Sequence, residues 1–368
     1  MGARSSGMAG TGVADAEGYD ATYVNPAGLV ERTQRRLTLG YVHGWYSLNL
    51  DGVHHPVDPT NGVLLGATLP IPFGGVLRDR IGLGVAFYFP FNVVNRARAP
   101  FPDQPRLAIL DNGTQVVSIL VGAGARVHRR VTVGVGLLAL AALVGTVSIR
   151  TDAAGRITTA SEEQLVSSFA PIAGVRVRVA SWARLGAVFR GESKSTYDLE
   201  VTNSLGAVLP IALPTLRIAG TAQYDPMQAA IETALQPLPW LGLDLGVTWK
   251  HWSAFPLPTQ NATLGEPPQP QPKFHDTAVP RLGLEGIERF HQFRFIGRAG
   301  YYFEWSGSYD PQLLDVSRHV LTFGGGIEWI NRLTALQLDV FGQWHHAQAS
   351  SRLSGDIGAF GVTLGVNL

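Results

Sequence analysis

The chain has 368 residues, with 29 Lys+Arg against 28 Asp+Glu and a net charge of +1. Charged residues make up only 15%, against roughly 25% in soluble domains, and glycine fills 43 positions, nearly double the usual share. Near-neutrality offers no basic face for nucleic acid, and 45% hydrophobic content excludes a disordered chain. The absence of cysteine excludes disulfide staples, cysteine-ligated zinc and thiol catalysis.

Residues 1–30 are small and glycine-rich, with Gly2, Gly7, Gly10, Gly12, Gly18 and Gly28, and do not alternate like a strand. Composition leaves a flexible tail and a plug inside a barrel equally open. A charged and apolar leader is missing from this start, so a secretory signal is expected to have been removed.

From residue 35 onward, apolar residues recur at every second position, the spacing of a strand with one greasy face. The run Val131 to Ile149 is long enough for a membrane helix. Its valines nevertheless fall on odd positions and Thr132, Gly134 and Gly136 on even ones, so it reads as a strand. The same order recurs in Val175-Arg176-Val177-Arg178-Val179, from Leu241 to Lys250, and from Val362 to Leu368. These segments exceed the strands of a soluble sandwich and match the roughly 9–11 tilted residues of a membrane barrel.

About fourteen such strands are expected, near 35–50, 62–71, 80–90, 115–127, 131–149, 164–180, 183–198, 209–224, 239–253, 278–288, 291–305, 319–330, 332–346 and 356–368. Short turns such as His128-Arg129-Arg130 and Ala180-Ser181-Trp182 alternate with long connections. That asymmetry is usual for outer-membrane barrels. Between the eighth and ninth strands, Asp225-Pro226-Met227 predicts a short helix, with Asp225 as N-cap and Pro226 at its first position. The run Glu266 to Pro272 is proline-rich and expected to be extended. The fold class is therefore all-β, a transmembrane antiparallel barrel.

Several motifs carry more than composition. Gly7 to Ala16, followed by Ala21-Thr22-Tyr23-Val24-Asn25-Pro26-Ala27-Gly28-Leu29, resembles the N-terminal hatch of the long-chain fatty-acid transporter family, the FadL/TodX-type outer-membrane channels. The segments Trp249 to Phe255 and Arg298-Ala299-Gly300-Tyr301-Tyr302, with Asp310-Pro311, Asp315 and Arg318-His319, resemble later stretches of that family in the same order. The resemblance implies a fourteen-stranded barrel over 35–368 and a hatch over 1–34 that plugs the lumen. It also implies passive uptake of hydrophobic compounds, foremost long-chain fatty acids, across a bacterial outer membrane. Neutral aromatic or aliphatic hydrocarbons are the alternative cargo, and a structural lipid-binding barrel is a third reading. Such a barrel would sit among outer-membrane lipid and lipopolysaccharide as a monomer, without nucleic acid. The chain ends in Leu368 where such barrels commonly carry an aromatic residue.

Three groups of residues are candidates for function. Asn25, Pro26 and Ala27 form a turn, since proline pushes its predecessor from helix and the asparagine amide can satisfy nearby backbone. The family resemblance favours a role in anchoring the hatch. The inward charges expected are Arg126, Arg176, Arg178, Arg184, Arg190, Lys250, Arg281, Arg294 and Arg298, against Asp244, Glu285, Glu304, Glu328 and Asp339. Most should be ion-paired within the lumen. Arg176, Arg178, Arg190 and Arg298 are the candidates for holding a substrate carboxylate through paired donors. In the third strand, Gly82, Gly84 and Pro90 combine missing side chains with a missing N–H, which suggests either the start of a loop or a lateral opening in the wall.

Catalytic signals are weak, and no enzyme activity, catalytic residue, metal site or cofactor is expected. Neighbouring histidines such as His54-His55 and His345-His346 point to opposite faces of a strand and lack metal spacing. No Gly-x-Ser-x-Gly elbow occurs.

Overall fold

The computed structural model describes residues 2–31, 34–75, 78–91, 117–151, 157–204, 216–256, 259–261, 273–308, 315–331, 334–348 and 352–368. The proline-rich run from Glu266, Asp310-Pro311 and the expected strand start at 209–215 lie outside these residues. Alternation has produced the strands β1 (Arg36–Leu50), β2 (Val53–His55), β3 (Thr60–Pro70), β4 (Ile81–Pro90), β5 (Ser118–His128) and β6 (Val131–Thr151). There follow β7 (Ile157–Ala180), β8 (Ala183–Arg190), β9 (Ser193–Ser204), β10 (Leu216–Asp225), β11 (Gln228–Leu238) and β12 (Leu241–Lys250). The last third contains β13 (Thr259–Asn261), β14 (Thr277–Phe290), β15 (Phe293–Glu304), β16 (Arg318–Ile330), β17 (Ala335–Ala347) and β18 (Leu353–Asn367).

The wall is a closed antiparallel barrel with fourteen strand positions: β1, β3 to β8, β11, β12 and β14 to β18. Closure is made by β1 against β18, from Arg36 opposite Asn367 to Leu50 opposite Leu353. Among the described residues each of these fourteen strands is paired on both sides, as a wall in lipid requires. The strands β9 and β10 continue β8 and β11 beyond a break, where Gly191-Glu192 face Pro226-Met227. Above it, β9 turns aside and runs parallel to the upper part of β6.

This break corrects one sequence expectation. No helix follows Asp225; β10 ends there and β11 begins at Gln228, paired with both β8 and β12. Pro226 has no N–H to give a ladder and interrupts the strand pair instead of opening a helix.

Outward positions are apolar around the wall: Leu37, Leu65, Leu83, Val135, Leu185, Ile231, Leu245, Leu284, Phe295, Phe323, Leu338 and Leu364 are all exposed. Large aromatics crown both edges. Trp182, Trp240, Phe290 and Phe293 stand at the short-turn end, and Trp45, Phe89, Trp249, Trp305 and Trp344 at the long-loop end. A naked apolar belt between aromatic girdles is the surface of a barrel solvated by lipid. No described helix is long and apolar enough to cross a membrane.

The N-terminal segment lies within this wall. It forms α1 (Ala3–Gly7), α2 (Tyr19–Val24) and a 3-10 turn over Pro26–Val30, almost wholly buried. Its Val13, Ala16, Ala21, Val24 and Leu29 share a core with inward residues of the wall such as Leu120, Leu138, Ile172 and Val188. The segment is thus a plug, and the tail reading is set aside by its burial.

Candidate functional site

The plug sits where the wall has no side chains to resist it. An added Cβ at Gly82 or Gly84 would overlap Leu29 or Thr22, and one at Gly134 would overlap the backbone of Pro26 and Ala27. At Gly174 and Gly186 it would strike Asn25 and Val13. The glycines noted in the third strand therefore form part of the seat for the plug. Their strand, β4, is hydrogen-bonded in register to β3 through Pro90 and to β5 as far as Tyr88.

Asn25 is fully buried, and its side chain fastens the plug both to itself and to the wall. Nδ2 donates to Val13 O at 2.7 Å and to Val175 O and Ala187 O at 3.3 Å. Its Oδ1 accepts from Ala27 N at 3.1 Å, capping the turn that Pro26 starts.

The four arginines proposed as head-group ligands have other company. Arg176, 5% exposed, donates from Nε to Val13 O at 3.1 Å and from Nη2 to Gly12 O at 3.1 Å and Ala16 O at 2.6 Å. Arg298 stands between Glu285, at 2.8 Å, and Asp339, at 2.7 Å. Arg178 lies 3.5 Å from Glu31. Arg190 donates to Gln228 Oε1 at 3.0 Å and stacks over Tyr23. Other inward charges also pair: Lys250 and Arg318 share Glu304, and Arg294 meets Glu328 at 3.0 Å.

Above the plug, toward the long loops, lies a cavity of about 620 Å³. Tyr19 and Tyr23 of the plug line it from one side, with Val42, Leu64, Ala86, Phe87, Tyr88, Leu120, Leu138, Leu140 and Phe341 from the wall. Phe255 also lines it and stacks on Phe274, and Tyr224 meets Phe255 edge-on. The polar groups around it are hydroxyls, amides and carboxylates, including Asp20, Asp58 and Asp225; no Lys, Arg or His is among the described lining residues. Asp20 is occupied by Gly2 N, Ser5 N and Ser5 Oγ. The Tyr23 hydroxyl faces the Asp225 carboxylate and donates to its Oδ2 at 3.4 Å.

Sequence reasoning did not single out the cavity residues, although a signal was present. Around Leu137-Leu138-Ala139-Leu140 and Ala86-Phe87-Tyr88 the alternation lapses and both faces become apolar. Such strands meet lipid on one side and the cavity on the other.

No protein-family model and no curated protein matches the chain by sequence. Solved structures do match its fold. A Pseudomonas aeruginosa FadL homologue aligns over 100% of this chain and 97% of its own, with a TM-score of 0.64 at 12% identity. The Pseudomonas putida toluene transporter TodX gives 0.64 at 14% identity, and the Ralstonia pickettii toluene transporter TbuX 0.58 at 14%, both with the same coverage. The chain has the fold of the FadL/TodX-type channels, in agreement with the resemblance seen in its N-terminal motif.

Proposed function

We propose that this protein is an outer-membrane channel for the passive uptake of neutral hydrophobic compounds, with residues 1–34 as its hatch and 35–368 as its barrel. The observation that carries the choice of cargo is the cavity wall, apolar and aromatic with carboxylates but without a cation among its described residues. A ligand that buries about 200 Å² of apolar surface there gains roughly 5 kcal/mol. A carboxylate entering the same space loses hydration worth several kcal/mol without a partner to offset it. Ionised fatty acids, the first expectation from the sequence, are therefore disfavoured relative to neutral hydrocarbons or esters. The toluene-transporting relatives in fold are consistent with this preference.

The ladder paired on both sides from Gly82 to Tyr88 supports release past the hatch over escape sideways along that stretch of the strand. The test is equilibrium binding of toluene, a long-chain fatty acid and its methyl ester to the detergent-purified protein. Ester and toluene binding, with acid at least about tenfold weaker at neutral pH, is expected. Acid binding better than ester would return the assignment to fatty acids, and no binding of any would remove the channel reading.

A further inference from the structure

Beneath the cavity, where the plug meets the wall, three carboxylates converge. One oxygen each of Asp15, Glu232 and Asp244 lies within 4.8 Å of the other two. Asp15 belongs to the plug, Glu232 to β11 and Asp244 to β12. In that ladder Asp244 faces Ala234 and Glu232 faces Gly246, so the two wall carboxylates are diagonal neighbours on the inner face. Both are buried, Asp244 to 1% exposure and Glu232 to 5%.

Their partners do not account for the charge. Asp15 receives both terminal nitrogens of Arg4, which also reaches Glu285 at 3.1 Å. Glu232 accepts from Gly12 N and Ala14 N at 3.0 Å. Arg176 spends its donors on the carbonyls of Gly12, Val13 and Ala16. Among the described residues, no side-chain cation donates to Glu232, and Asp244 Oδ2 is buried with no hydrogen-bond partner at all. An isolated buried carboxylate oxygen costs several kcal/mol unless a proton or a cation meets it.

We propose that Asp15, Glu232 and Asp244 bind one calcium ion that ties the plug to β11 and β12. Three hard carboxylate oxygens, with no histidine or cysteine, suit calcium over zinc or copper. Calcium also tolerates irregular oxygen geometry better than magnesium, which demands a near-ideal octahedron. A divalent ion shared by plug and wall would add an electrostatic tie to the packing that already joins them. The proposal does not depend on which compound the cavity accepts.

The test uses the full chain in detergent, stripped with EDTA and dialysed against labelled calcium at neutral pH. Saturable binding of one ion per chain is expected, weakened on the order of 100-fold in Asp244→Asn and in Glu232→Gln. Asp15→Asn, which leaves every wall residue in place, gives the same reading should either wall variant fail to insert. Added calcium should also slow amide exchange in residues 10–16 of the wild type and not of the variants. Absence of saturable binding by the wild type would mean that shared protons neutralise the cluster and would overturn the proposal. Binding unchanged in all three variants would place the ion elsewhere and overturn it equally.

Discussion

Replacing Arg176 with methionine separates two roles for this side chain, because it keeps most of the volume and removes every donor. In the structure the guanidinium serves three carbonyls of the plug. Val13 O keeps Asn25 Nδ2 at 2.7 Å, and Gly12 O keeps Ala16 N at 2.7 Å. Ala16 O has no other donor among the described residues. One orphaned buried carbonyl costs about 1–3 kcal/mol, and weakening the other two adds about 1 kcal/mol. Plug docking should weaken by roughly 2–4 kcal/mol, which at about 1.4 kcal/mol per decade raises its opening equilibrium roughly 30- to 700-fold. Hydrogen exchange of residues 2–31 in detergent reads this directly, while heat-dependent gel migration reports whether the barrel remains closed. Faster exchange in the plug with an intact barrel is expected, together with an unchanged acid-to-ester binding ratio. Unaltered plug exchange combined with a changed ratio would refute the reasoning and make Arg176 a ligand for the cargo.

Three further outcomes are expected. Asn25→Ala removes a buried side chain bonded to Val13, Val175 and Ala187, and should lower uptake while leaving barrel assembly intact; normal uptake in a correctly inserted variant would count against it. Gly300→Ala would place a Cβ 2.6 Å from Ala9 N and loosen the plug, whereas Gly297→Ala on the same strand meets nothing within 4 Å and should be silent in the same exchange measurement. At the long-loop rim, burial raises the Asp276 pKa, but hydrogen bonds from Ser253 and His251 outweigh it and hold the carboxyl below its ordinary value of 3.8. Stability from a depressed carboxyl is present above that value and lost as pH falls through the folded one. Ser253→Ala should therefore speed proteolysis of this rim by an amount equivalent to about 1 kcal/mol at neutral pH, and the difference from wild type should vanish in strong acid.

Much of the wall was legible because lipid and lumen impose a period of two on every strand that separates them. The exception is instructive. Residues 228–238 alternate as regularly as any strand, with Ala229 and Ile231 outward and Ala230, Glu232 and Ala234 inward. The preceding Asp-Pro pair carries the signature of a helix start, and alanine and glutamate favour helix by propensity. The inward alanines are small because the plug packs there: Ala230 shares a core with Val13 and Val24. Misreading this strand also hid Glu232, and with it the carboxylate cluster. Inward charges could be named from the pattern, and Arg298 with Glu285 follows once the register sets them directly opposite. The service of Arg176 to plug carbonyls could not be read, because strand periodicity holds no information about what occupies the lumen.

The plug is made first in the chain and holds many hydrogen bonds of its own, yet several of its polar groups are met only by the wall. Ala9 N and Gly7 O both depend on Thr322 Oγ1, Gly12 N on Glu232, and Ala16 O on Arg176, partners from different parts of the wall. Those groups reach one another only when β1 has met β18. Order of synthesis and order of completion are thereby inverted: the segment made earliest gains its last partners only when the last strand is placed. The lumen is then shut by the docking of the N-terminal residues and not by closure of the wall itself.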